Sequence, residues 1–291
     1  MGRRFLDNVY EGKNDWWRYV VVLGVSVYYW LFWSYYVYVA SSAVLSELPI
    51  PPVAAATISQ NMHFLIELGL LILLLWGMNE RSWRSLITAE PAVNIKRIAQ
   101  GFGVWGGLML TSQAIGVWSE PQNYAWNFQP SQWIVLLMLS LLFVPIQTSA
   151  EELLFRGYLI QAMRLLTHRS FILIVMSAFL FAIPHFGNPE MQRGAFVWGA
   201  ANYFTWGVIF AAVTIKDNGL ELSLGMHAAH NIIGSVVVTT PDSVIQSPAL
   251  LTYVGPLDPR HGLVWLLYEG FFFYCIFFGG VPRKKQVKRK D

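Results

Sequence analysis

Apolar residues in this chain come in long blocks separated by short polar stretches. Eight blocks are long enough, or nearly so, to cross a bilayer: 19–39, 61–78, 98–118, 132–150, 170–185, 194–215, 219–239 and 262–281. A spanning helix needs about 20 mostly apolar residues at ~1.5 Å each. The fourth block runs on through a polar interruption into 151–166 and contains Pro145, which predicts one long, kinked helix. The first block follows a polar leader and is longer than the apolar region of a cleaved signal peptide, so it reads as an uncleaved first span. The pattern predicts an all-α polytopic membrane protein of about eight transmembrane helices.

Charge gives the sidedness. Of 291 residues, 55% are hydrophobic and 13% charged, and mean hydropathy is +0.44, against roughly a quarter charged in a soluble domain. With a cytoplasmic N-terminus, Arg3, Arg4, Lys13, Arg18, Arg81, Arg84, Lys96, Arg97, Arg164, Arg169, Lys216 and the tail residues Arg283, Lys284, Lys285, Lys288, Arg289 and Lys290 all lie inside. Those are 17 of the 20 Lys and Arg residues; Arg193 and Arg260 fall outside, and Arg156 lies within the membrane. The positive-inside rule therefore puts both termini in the cytoplasm. Topology anchoring accounts for the basic tail, with anionic lipid as an alternative partner. Cys275 has no second cysteine to pair with and lies in an apolar run, as a lipid-facing or packed thiol. There is no internal repeat, and no basic domain that would suit nucleic acid.

Ionisable groups inside a span cost several kcal/mol unless paired or facing a wet cavity, so they are the first candidates for function. Three clusters stand out. In Glu151-Glu152-Leu153-Leu154-Phe155-Arg156, Glu152 and Arg156 are i,i+4 and can form an ion pair, while Glu151 lies ~100° around the helix and is left for chemistry. Phe181 and His185 end the fifth block. His227, His230 and Asn231 lie in the seventh, with His227 and Asn231 on one face. Counted from the cytoplasmic helix ends, Glu151 is ~20 Å deep, His185 ~24 Å and His227 ~12 Å, so all three can meet inside the membrane. A carboxylate beside an imidazole can activate water, while a second imidazole and a carboxamide stabilise an oxyanion. Glu151, His185 and His227 also read as ligands of a divalent metal such as zinc. The spacing is not HExxH and leaves the two readings open.

At these residues the chain resembles the CPBP family, which comprises type II CAAX prenyl endopeptidases and bacteriocin-processing or self-immunity membrane proteins. Its EExxxR, FxxxH and HxxxN motifs stand here in order as Glu151-Glu152-xxx-Arg156, Phe181-xxx-His185 and His227-xxx-Asn231, all within 149–234. The resemblance implies an eight-helix intramembrane endopeptidase acting on a membrane-associated or lipidated peptide. By it, Glu151 and His185 activate the water, His227 and Asn231 stabilise the tetrahedral intermediate, and Glu152 and Arg156 support the site. It leaves open a metalloprotease and a metal-free glutamate mechanism. His230 is an addition to the pattern and reads as a residue supporting the site. The implied organisation is an N-terminal three-span region at 1–131, a catalytic core at 132–239, and a last span with basic tail at 240–291. A bacterial or archaeal plasma membrane or a eukaryotic endomembrane would house it.

Other polar residues read more simply. Asn61, His63 and Glu67 open the second span as a helix contact or as lining of the same cavity, and Asn202, Glu221 and Glu269 read as contacts between helices or at the interface. The aromatic run from Tyr28 to Tyr36 suits lipid packing. The alternative functions are a non-catalytic scaffold or self-immunity protein, and an ion-coupled transporter. The latter lacks support, because the two halves share no matching interrupted helices.

Overall fold

The computed structural model describes residues 4–192, 196–241, 243 and 247–280. The basic tail and Arg193 lie outside the described residues. Eight long helices follow the eight apolar blocks: α1 (Trp16–Ser46), α2 (Pro52–Asn79), α3 (Ile95–Ser119), α4 (Pro130–Arg164), α5 (Ser170–Gly187), α6 (Phe196–Asp217), α7 (Glu221–Val236) and α8 (Pro259–Phe278). The protein is all-α and polytopic. Six of these helices are long and apolar enough to cross a membrane; α3 and α7 are not among them, so the expected count of eight spans is not reached on length and composition alone.

The reason lies in where α3 and α7 sit. Only 16 residues long, α7 is buried along most of its length, packed by α3, α4 and α6. A helix enclosed by protein needs no continuous apolar surface, and α7 carries Glu221, His227, His230 and Asn231. The α3–α7 contact is made by glycines. A Cβ on Gly101 would strike the Leu222 carbonyl oxygen, and one on Gly225 the Ile98 carbonyl oxygen, so each helix leaves its partner room for close backbone approach. Around this pair Trp105 is fully buried, with its ring 5.1 Å from Trp206 and 5.6 Å from Phe273. The aromatic and aliphatic residues left exposed, such as Leu31, Phe32, Tyr35, Leu142 and Phe271, face outward as a lipid surface requires. Cys275 is exposed on α8.

α4 runs through Pro145 without ending there. Its irregularity comes directly after the glutamates, as a π-helical turn at Leu153–Leu159; such turns concentrate at functional sites. From within that turn to the end of α4, polar contacts lock the helix in place. Tyr158 Oη donates to Asn79 Oδ1 (2.8 Å), and Gln161 Nε2 to the Ser85 carbonyl (2.9 Å). From the 3₁₀ turn Phe5–Tyr10, Asn8 Nδ2 donates to the Ser85 and Thr88 carbonyls, both at 2.9 Å. At the other end, two connections and the last residues of the seventh apolar block, which read as part of a span, pair into a small sheet of order β1-β3-β2: β1 (Tyr124–Trp126) runs antiparallel to β3 (Leu251–Tyr253), and β2 (Val238–Thr239) runs parallel to it.

Gly225→Val is expected to lower the thermal unfolding midpoint in detergent strongly, because the collision is with backbone that cannot move aside. Gly103→Val on α3, where a Cβ meets nothing within 4 Å, is expected to leave the midpoint nearly unchanged. Equal midpoints would remove the close α3–α7 approach as a source of stability.

Candidate active site

Glu151, Glu152 and Arg156 sit on α4 at the start of the π-helical turn, and all three are buried. Arg156 Nη1 donates to Glu152 Oε1 at 3.0 Å, the pairing that i,i+4 spacing predicts. The same oxygen lies 2.9 Å from His227 Nδ1 on α7. A carboxylate only accepts, so Nδ1 carries the proton and Glu152 joins Arg156 and His227 into one buried network. The expected Glu152–Arg156 ion pair is present, and His227 joins it at the same oxygen.

Arg156 is satisfied only in part by that oxygen; among the described residues its Nε and Nη2 have no hydrogen-bond partner. Aromatic faces cover it instead, the guanidinium carbon lying 4.0 Å from the Phe181 ring centroid and 5.0 Å from that of Phe210. Such cation–π contacts strengthen when desolvated. Phe181 therefore has a task of its own. Its ring touches Arg156 on one side and lies 4.6 Å from the His185 ring and 5.4 Å from Phe155 on others.

The free carboxyl of the sequence pattern faces the same imidazole. Glu151 Oε2 lies 3.8 Å from His227 Nε2, beyond hydrogen-bond length but close enough for one oxygen atom of a reactant to bridge. His227 is thus flanked by both glutamates, one at each ring nitrogen, and its ring stacks on Phe210 with centroids 4.6 Å apart. His185 is held differently. Its Nδ1 lies 2.8 Å from the Phe181 carbonyl oxygen, so Nδ1 donates and Nε2 is left as an acceptor in the neutral ring. The ring stacks on Tyr203 at 4.4 Å, and Trp30 of α1 closes on it edge-on at 6.3 Å. Phe181 lies between the two imidazoles, 4.6 Å from the His185 ring and 6.4 Å from that of His227, and among the described residues no hydrogen bond or ion pair joins His185 to Glu151.

Asn231 is one turn beyond His227 on α7, where its carbonyl accepts from Ser235 Oγ at 2.7 Å. His230 packs its ring 4.1 Å from Trp206, on the α6 side, away from the carboxylates. Among the described residues, no three His, Cys, Asp or Glu side chains are gathered so as to hold a metal ion. The Nδ1 atoms of His185 and His227 are both engaged, which leaves Nε2 as the free ring nitrogen of each.

Residues 130–233 match the family model described as type II CAAX prenyl endopeptidase Rce1-like. The Rce1-like region runs from the start of α4 into α7 and contains Glu151, Glu152, Arg156, His185, His227 and Asn231. Over 175 residues, 60% of this chain, the sequence is 41% identical to Uncharacterized protein YyaK of Bacillus subtilis (strain 168). That stretch spans 58% of the relative's length. No solved structure matches the chain. Helices α1 and α2 lie outside the Rce1-like region, yet they deliver Trp30 to His185 and place buried polar residues against α4. Nothing in the motif spacing pointed to Trp30 or Tyr203. A signal for Glu67 existed in the sequence, as an uncompensated acid in an apolar helix.

Arg156→Met is expected to destabilise the fold by about 3–5 kcal/mol, since it strands a buried Glu152 carboxylate. Glu152→Met with Arg156→Met together should recover much of that loss. Reversible unfolding in mixed micelles checks both; an Arg156→Met protein as stable as wild type would show the network to be energetically idle.

Proposed function

We propose that this protein is an intramembrane endopeptidase that hydrolyses a peptide bond in a membrane-associated or lipid-anchored peptide, without a metal. The observation that carries the reading is the buried Glu151 carboxyl facing His227 Nε2 across 3.8 Å, inside a region similar to type II CAAX prenyl endopeptidases. A structural ion pair accounts for Glu152 and Arg156, but nothing structural accounts for a second acid left facing an imidazole in a lipid-enclosed site.

The chemistry follows from the positions. Glu151 takes one proton from water as the water oxygen bonds to the scissile carbonyl carbon. The carbon–nitrogen bond then breaks, and the proton passes from Glu151 to the leaving nitrogen, returning the carboxylate. His185, with Nδ1 fixed on a backbone carbonyl, presents Nε2 as an acceptor that orients the water. For His227 to stabilise the oxyanion, Nε2 must donate. With Nδ1 committed to Glu152, that means the imidazolium form, which also brings Glu151, Glu152, Arg156 and His227 together to net zero charge. Asn231, on the same face of α7, supplies a second donor. A bacterial plasma membrane suits the relative in Bacillus subtilis.

Glu151→Gln is expected to abolish cleavage while leaving insertion and unfolding midpoint intact, with a loss of at least about a hundredfold for removal of a general base. Quantitative proteomics of membranes from cells expressing wild type or Glu151→Gln identifies the peptides concerned, and farnesylated and unprenylated CAAX peptides test whether prenylation matters. Full activity in purified Glu151→Gln would refute the mechanism, and a phenotype that survives it would favour a self-immunity or scaffold protein. Activity is also expected to survive exhaustive chelation; loss on chelation with recovery on adding zinc would restore the metal reading.

A further inference from the structure

The two ends of the bundle differ in charge, and the site is closed toward one of them. The 3₁₀ turn Phe5–Tyr10, the α2–α3 connection, the end of α4 and the α6–α7 turn meet at one end. There the Phe5 amide donates to Asn218 Oδ1 at 2.9 Å, Arg164 lies 3.5 Å from Asp7, and Arg97 pairs with Asp217. Lys13, Arg18, Arg81, Arg84 and Lys216 belong to the same end. Among the described residues, Arg260 at the start of α8 is the one Lys or Arg at the opposite end. The positive-inside rule makes the basic end cytoplasmic. Toward that end the bundle is closed. Every residue of Leu153–Leu159 on α4 and of Glu221–Ala229 on α7 is buried, and Phe155, Phe181 and Phe210 pack around Arg156. One turn the other way, α4 and α7 each carry a carboxamide that is only half-buried, Gln147 before Glu151 and Asn231 after His227. Among the described residues, Gln147 Oε1 has no hydrogen-bond partner. On α5 the helix ends just past the half-buried His185, in the exposed Gly187 and then Asn188, whose Nδ2 donates to Tyr203 Oη at 2.8 Å.

Depth agrees with this asymmetry. His185 is fifteen residues beyond Ser170, and the two residues whose rings meet it, Trp30 and Tyr203, are each fourteen residues from the basic ends of α1 and α6. At ~1.5 Å per residue all three stand roughly 21–22 Å from that end, in the outer part of a hydrocarbon layer ~30 Å thick. His227, eight residues beyond Gly219, stands lower at ~12 Å, so the site rises from its closed floor toward the outer surface. Amides half-exposed to lipid would carry the cost of unpaired polar groups, so the space they line is wet. We propose that the site opens to the extracytoplasmic face and not to the cytoplasm, and that its substrates are peptide segments presented there, on exported or membrane-spanning chains. The choice of substrate rests on the hydrolytic reading of Glu151; the side of the opening does not. The attacking water then enters from the extracytoplasmic side, and a peptide lipidated in the cytoplasm and held at the inner leaflet meets the closed end.

Single cysteines in a Cys275→Ala background test the opening, in the full chain expressed in a bacterial membrane and treated with a membrane-impermeant, negatively charged methanethiosulfonate. Gln147→Cys, in the proposed opening, and Gly187→Cys, where a Cβ meets nothing within 4 Å, are expected to react in spheroplasts and to be protected in sealed inverted vesicles. Glu90→Cys, exposed in the α2–α3 connection, is expected to show the reverse, and the buried Ser223→Cys to react in neither until the protein is denatured. Asn231→Cys repeats the measurement if Gln147→Cys does not insert. Reaction of Gln147→Cys from the cytoplasmic side overturns the proposal, and so does reaction from neither side while Gly187→Cys reacts from outside. Substrate class is read from the proteomic comparison of wild type with Glu151→Gln. Cleavage positions lost in the variant are expected on the extracytoplasmic side of each substrate's own membrane segment or in exported chains; positions on the cytoplasmic side sink the substrate class. Identical peptide profiles would instead fail the hydrolytic reading, and the labelling still decides which face the site opens to.

Discussion

Everything in this fold is arranged around one costly object, a carboxylate, a guanidinium and an imidazole buried together in a membrane protein. Glu152 and Arg156 are fully buried, and His227 nearly so. Taking such ions out of water costs several kcal/mol each, which their mutual attraction repays only when geometry is good. Here a single oxygen, Glu152 Oε1, accepts from both Arg156 and His227, while half of the guanidinium is left to aromatic faces. That compromise ties α4 to α7 through ions and to α5 and α6 through Phe181 and Phe210. Four helices are thereby held in one register, and Glu151 is carried to the open side of His227.

Packing makes the network possible. His227 reaches both glutamates because α7 is drawn into the centre of the bundle, and α7 can be central because Gly101 and Gly225 let its backbone approach α3. A helix so enclosed is free to be short and polar. The feature that keeps α7 from qualifying as a membrane span on length and composition is therefore the one that qualifies it to hold an active site. The π-helical turn after Glu152 belongs to the same logic. It widens α4 just where Arg156 must turn from the carboxylate toward the rings of Phe181 and Phe210.

Much of this was legible in the sequence, for definite reasons. Long apolar blocks report helices directly, because lipid admits few other backbones. The i,i+4 relation of Glu152 and Arg156 is local, so it survives into the structure. Motif order over α4, α5 and α7 brought Glu151 and His227 to one place, as depth counting allowed. What could not be read is what depends on contacts between helices. No spacing rule says that His227 shares Glu152 with Arg156, that His185 is fixed by a carbonyl four residues earlier, or that Trp30 covers it. The small sheet was invisible because its strands are two or three residues long and far apart in sequence.

The limits of the Rce1-like match are instructive for the same reason. A family model records residues that keep their spacing along the chain, and 130–233 is where such spacing exists. The preceding helices contribute by position: Trp30 against His185, Glu67 on the helix packed along α4, and Phe5, Asn8 and Ser85 around the C-terminal end of α4. Side chains of this kind meet the site across helix interfaces, so their residue numbers are free to drift as long as the packing holds. The matched region is therefore not a self-sufficient unit. Trp30, its ring 6.0 Å from Phe155 and 6.3 Å from His185, and the packing of α2 along α4 make these two helices walls of the site.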